Sequence, residues 1–94
     1  MKIVWSPEAA DDLEAAVQYL AQDSLPAAAR LGHGILALVD RLAIEPLDGP
    51  KHVLKTGQIV RGWPFPPFRV YYQRADDTLL IVRVYHQKRE PIAR

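Results

Sequence analysis

The chain is predicted to be α+β, with helices in its first half and paired strands in its last third. Apolar residues recur at helical spacing in two stripes, Ala9-Leu13-Ala16-Val17-Leu20 and Leu31-Ile35-Leu38-Val39-Leu42, separated by Asp23-Ser24-Leu25-Pro26. Phe68–Gln73 and Leu79–His86 are rich in β-branched and aromatic residues and are joined by Arg74-Ala75-Asp76-Asp77-Thr78. The architecture expected is an N-terminal strand and an antiparallel two-helix hairpin, packed on a small, mainly antiparallel sheet of three or four strands.

Taken in order, Ile3-Val4-Trp5 is β-prone and stops at Ser6-Pro7. Ser6 suits an N-cap, and Pro7 suits the first helical position, where no donor is needed. Glu8, Asp11 and Asp12 then favour the positive end of the helix dipole, and the helix is expected to end near Ala21 or Gln22. Ser24 or Leu25 starts the second helix, and Glu45-Pro46 stops it, because the residue before proline avoids helical angles. Gly32 and Gly34 weaken that helix and point to close approach of the first helix or of a strand.

Leu47-Asp48-Gly49-Pro50 is a turn, followed by a weaker strand around Gln58–Arg61. Gly62-Trp63-Pro64-Phe65-Pro66-Pro67 has too much proline for a central strand and is expected as a loop or edge segment. In the final hairpin, placing Phe68, Val70 and Tyr72 on one face with Leu80, Val82 and Val84 requires an odd loop, Ala75-Asp76-Asp77. Arg69, Tyr71, Gln73, Ile81, Arg83 and Tyr85 then share the other face, with Arg69 across from or diagonal to Arg83.

Composition narrows the function. Ninety-four residues, 49% of them hydrophobic, are expected to fold as one domain spanning 1–94. With no cysteine, thiolate nucleophiles, disulfides and cysteine metal sites are excluded; His33, His52 and His86 lack metal-site spacing, so no metal or cofactor is expected. No apolar run approaches a membrane span, and Met1–Trp5 is too short for a signal peptide, so a cytoplasmic protein without membrane contact is expected. Residues 1–49 hold three basic against eight acidic side chains, and residues 50–94 hold nine against three. Such a dipole fits an anionic partner of the C-terminal half, or mutual neutralisation of the two halves. Asp11, Asp12 and Glu14 read as a solvated helix face.

Pro67-Phe68-Arg69-Val70-Tyr71-Tyr72 and Ile81-Val82-Arg83-Val84-Tyr85-His86-Gln87-Lys88-Arg89, following the Ser-Pro helix start and Leu42–Pro46, resemble the RelE/ParE superfamily of bacterial toxins over nearly the whole chain. The resemblance implies a toxin of a type II toxin-antitoxin system, neutralised by a cognate ParD-like antitoxin. RelE-like members cut mRNA on the ribosome; ParE-like members poison DNA gyrase. Arg69 and Arg89 match arginines kept in both branches. The lysines of RelE-like nucleases have no counterpart near Gln58-Ile59-Val60, where Arg61 is the only cation, and their C-terminal tyrosine is absent.

The ParE-like branch is therefore favoured: a gyrase inhibitor without a catalytic cycle, acting through Arg69, Arg83, His86, Lys88 and Arg89. Trp63, Phe65, Tyr71, Arg83 and Tyr85 are the candidates for antitoxin contact. The alternative is a metal-independent, ribosome-dependent endoribonuclease. It would set Arg61, Arg69 and Arg89 on phosphate, with Tyr85 or His86 moving protons. A third reading is a degenerate toxin that only binds antitoxin.

Overall fold

The computed structural model describes residues 1–45 and 47–94. Strand β1 (Lys2–Trp5) leads into helix α1 (Pro7–Ala21), then helix α2 (Leu25–Ile44). Strands β2 (Lys51–Val53), β3 (Ile59–Phe65), β4 (Phe68–Ala75) and β5 (Thr78–His86) follow. Among the described residues they form one five-stranded sheet in the order β1-β5-β4-β3-β2, antiparallel except where β1 runs parallel to β5. The sheet exceeds the expected size because Lys51–Val53 pairs with Ile59–Arg61.

The helix starts follow their cap chemistry. Ser6 Oγ accepts the Ala9 N–H at 3.0 Å, and Ser24 Oγ accepts that of Ala27 at 3.2 Å. Both helices carry proline in the first turn. Glu45 is the C-cap of α2; the other half of the expected stop, Pro46, lies outside the described residues. Arg74 of β4 donates to the carbonyls of Leu42 and Leu47 and to Asp48, so a cation closes the negative end of α2.

One face of the sheet packs under the helices. Val70, Tyr72, Leu79, Ile81 and Val84 meet Ala9, Leu31, Ile35, Leu38, Val39 and Leu42 in the main core. Each large aliphatic side chain removed from water there contributes roughly 1.5–3 kcal/mol. Tyr72, fully buried, donates its hydroxyl to Leu47 O at 3.1 Å and accepts the Gly49 N–H at 2.9 Å, so its polar end is satisfied. The other face carries a second cluster of Leu54, Val60, Tyr71, Val82 and Tyr85, covered by Ile92 and Ala93. That cover is fastened by Lys55 N–H donating to Ile92 O at 2.7 Å and Arg94 N–H donating to Val53 O at 2.6 Å.

Pro64 sits inside β3, where a loop or edge was expected, and the reason is local. Gly62 N–H points away from β4 to Pro50 O at 3.0 Å, and the nitrogen of Pro64, two residues on, points the same way, past the end of β2. The missing donor therefore faces an open edge.

The β4–β5 register departs from the expected one. A two-residue connection, Asp76-Asp77, joins Ala75 to Thr78, with Asp76 at φ 53°, and a bulge lies between Tyr71 and Tyr72. From Phe68↔His86 to Tyr71↔Arg83 the pairing has the expected parity; after the bulge it slips by one. Leu79 and Ile81 therefore enter the main core, while Leu80 and Val82 turn to the far face, reversing the expectation for Leu80, Ile81 and Val82. Arg69 pairs with Tyr85 and so lies diagonal to Arg83.

Candidate functional site

The C-terminal end of β5 and the turn after it gather most of the candidate residues. Pairing of β1 with β5 ends at Trp5↔Ile81, which leaves the rest of that β5 edge open. Helix α1 closes it with side chains. Ser6 Oγ–H donates to Val82 O at 2.7 Å, and Asp12 Oδ2 accepts the Val84 N–H at 3.0 Å. Asp12 also takes Arg83 in a two-point pair, Nε to Oδ2 at 2.7 Å and Nη2 to Oδ1 at 2.9 Å. The Asp12 side chain is only 10% exposed, which corrects its reading as a solvated residue. The hydrogen bond to Asp12 raises the already high pKa of Arg83.

Tyr85 organises the neighbouring cations. The Arg83 guanidinium lies 5.2 Å from its ring centroid and that of Arg89 4.9 Å. Its hydroxyl donates to the Glu90 carbonyl. His86 packs edge-on against Phe68, and its Nδ1 accepts the Lys88 N–H at 3.1 Å. The turn is thus held by the two side chains regarded as proton carriers.

Arg69 emerges on the far face opposite Tyr85. Its aliphatic stem and the ring of His52 crowd Gly62: a Cβ there would stand 2.9 Å from Arg69 Cδ and 2.9 Å from His52 Nε2, so any other residue would displace one of the two side chains. His52 packs edge-on against Tyr71 at 5.4 Å. Its Nε2 is buried and, among the described residues, has no hydrogen-bond partner. Burial, and then the charge of Arg69, hold His52 below its ordinary pKa. A cleft of about 160 Å³ is lined by His52, Arg69, Tyr71, Tyr85, His86, Arg89 and the segment Pro91–Ala93.

On the helix side, a groove of about 950 Å³ runs between α1, α2 and the β3–β4 turn. Its walls include Ala16, Tyr19, Leu20 and Leu31 from the helices and Phe65–Phe68 from the strands. Asp11, Arg30, Lys88 and Arg89 stand around it, and Tyr19 is 71% exposed.

Of the predicted residues, Arg69, Tyr85, His86 and Arg89 line one cleft, and Lys88 is exposed beside them. Arg61 does not join them. It pairs with Tyr72, donates to Gly49 O at 3.0 Å and lines a separate depression near Arg74. Trp63 packs against the main core; Phe65 does so too, lying over Gly34 of α2 while also facing the groove. Tyr71 and Tyr85 are 4% and 6% exposed under the C-terminal segment, so they offer ring edges rather than open faces. Sequence reasoning missed Asp12, His52, Tyr19 and Arg30. Asp12 had a signal, an acid three residues after Ala9 and four before Ala16 on the apolar stripe.

Two helices laid on one face of a five-stranded sheet, with a basic rim at the end of β5, define the α+β toxin fold that the sequence resembled. The family model described as ParE toxin of type II toxin-antitoxin system, parDE, matches residues 3–91, and the chain belongs to that family. It is similar to a chain of the solved "Chromosomal ParDE TA system from P. aeruginosa", with a TM-score of 0.74 at 21% identity. The match covers 92% of this chain and 95% of that one, a likeness of fold. No curated protein sequence matches significantly. The protein is a toxin of the type II toxin-antitoxin class, and among the described residues no helix is long and apolar enough to cross a membrane.

Proposed function

We propose that this toxin stops DNA gyrase by binding it directly, without a catalytic cycle, and that its antitoxin neutralises it. The observation that carries this reading is the employment of the proton-handling candidates. The Tyr85 hydroxyl is spent on Glu90 O, and His86 Nδ1 on the Lys88 amide, so both groups build the turn. The cations around that turn have no such employment: among the described residues Arg69, Lys88 and Arg89 have no carboxylate partner. They form a contact surface, with Arg83 and His86 supporting it from beneath. An amphipathic antitoxin segment fits the apolar groove between α1, α2 and Phe65.

The test is DNA supercoiling by purified gyrase with the toxin titrated in. Dose-dependent inhibition relieved by antitoxin is expected, and Lys88→Glu with Arg89→Glu should raise the toxin needed roughly tenfold or more. Full gyrase activity at large toxin excess refutes the reading. A second reading, ribosome-dependent mRNA cleavage, draws on the convergence of Arg69, Tyr85, His86 and Arg89 on one cleft. His86→Gln would then abolish cleavage while leaving ribosome binding intact.

A further inference from the structure

The cleft on the far face has three features that the toxin class does not explain. The first is an imbalance of partners among the arginines. Arg41, Arg74 and Arg83 each meet a carboxylate, and Arg61 and Arg94 meet backbone carbonyls. Among the described residues Arg30, at the helix-side groove, and Arg69 have no side-chain acceptor, and Arg89 meets only the Tyr85 ring, so the cleft holds two of these three cations. The second is His52 Nε2, a buried polar atom without a partner, beside the stem of Arg69. A group in that state is expected to find its hydrogen bond in something not yet bound. The third is the wall. Among the described residues no acidic side chain lines the cleft, and Tyr71, Pro91, Ile92 and Ala93 give it an apolar side.

We infer that the cleft between His52, Arg69 and Arg89 is a socket for one carboxylate side chain, a glutamate or aspartate presented by the antitoxin. The volume of about 160 Å³ is the size of a single acidic side chain. The guanidinium fork matches a planar carboxylate, while the apolar side takes the methylene groups behind it. A phosphate would turn further oxygens toward that side, where the Tyr85 hydroxyl is already committed to Glu90 O.

The antitoxin is the source because socket and groove are continuous. His86 and Arg89 line both. A segment lying in the groove passes over this turn and reaches the cleft from its rim. The inference rests on the antitoxin reading for that source, and on the cleft alone for its chemistry.

Lining the cleft with His52 are Arg69 and Tyr71 from β4, Tyr85 and His86 from β5, and Arg89 from the turn after it, with no anion among these described residues. Entry of a carboxylate offsets the charge of Arg69 beside His52, so the His52 titration moves to higher pH as the site fills.

The experiment follows the His52 ring resonances by NMR while N-acetylglutamate amide or inorganic phosphate is added to the full chain. Saturable, millimolar binding of the glutamate probe is expected, with the His52 titration moving to higher pH and both effects lost in Arg69→Gln. No saturation in the wild type, an unchanged response in Arg69→Gln, or saturation by phosphate alone would overturn the inference. With antitoxin, Arg69→Gln should weaken the complex at least about tenfold, as loss of a charge-assisted hydrogen bond requires. Tight binding of wild type and Arg69→Gln alike, with His52 unmoved, removes the antitoxin as the source. If the antitoxin fails to bind even the wild type, it is the antitoxin reading that falls, and the glutamate titration still decides the socket.

Discussion

Replacing Asp12 by alanine removes three hydrogen bonds at once: two from the Arg83 guanidinium and one from the Val84 amide. Breaking a fully buried pair by deleting one partner costs about 3–5 kcal/mol, because the other charge is stranded. Arg83 keeps 26% side-chain exposure and regains part of its hydration, which lowers the expected loss to roughly 2–3 kcal/mol. In a domain of this size that is a fall in Tm of roughly 10–20 °C. Urea unfolding at neutral pH, read by far-UV circular dichroism, gives the free energy directly. Asp12→Asn separates the parts, since its amide oxygen still accepts the Val84 N–H while the ion pair is gone. A cycle with Arg83→Met should return a coupling of about 1–2 kcal/mol. A loss below about 0.5 kcal/mol for Asp12→Ala, or a coupling near zero, would mean that the pair is solvated and that α1 does not hold the β5 edge.

Gly34→Ala places a methyl 2.9 Å from Phe65 Cε2 and should cost about 1–3 kcal/mol; Phe65→Leu in the same chain should recover part of it, and simple additivity would refute the contact. His52 has its pKa lowered by folding from 6.5, so protonation favours the unfolded chain. Its contribution to stability is complete above pH 6.5 and is lost as pH falls from there through the folded value. The urea midpoint should therefore drop more steeply toward about pH 5 in the wild type than in His52→Gln, and parallel curves would argue against a lowered His52 pKa in the fold.

Much of the fold was legible because local chemistry and long-range packing agree in it. The Ser6-Pro7 and Ser24-Leu25-Pro26 starts, and the stripes that end at Leu20 and Leu42, needed no tertiary information. The strand register was not legible. The irregularity opposite Tyr71 and Tyr72 leaves Val82 without a partner and shifts the period of β5 by one, and nothing in the uniformly apolar run Leu79–Val82 announces it. The site divides in the same way. The cations at Arg69, Lys88 and Arg89 stand out in sequence because they cluster beside strong strands. The pairing of Arg83 with Asp12, 71 residues away, depends on where β1 happens to stop. His52 was invisible for a similar reason, since its isolation is created by Gly62 on a neighbouring strand.

The parallel pairing of β1 with β5 orders events during synthesis. Ile3 meets Leu79, and Ser6 reaches Val82, so the first strand made has no partner until the last one appears. The helix hairpin can form early, but Leu79, Ile81 and Val84 complete the core beneath it. Closure across so long a stretch of chain is slow relative to hairpin formation. The basic rim at His86–Arg89 is positioned by that same closing strand, so a chain that lacks β5 has neither a partner for β1 nor the rim.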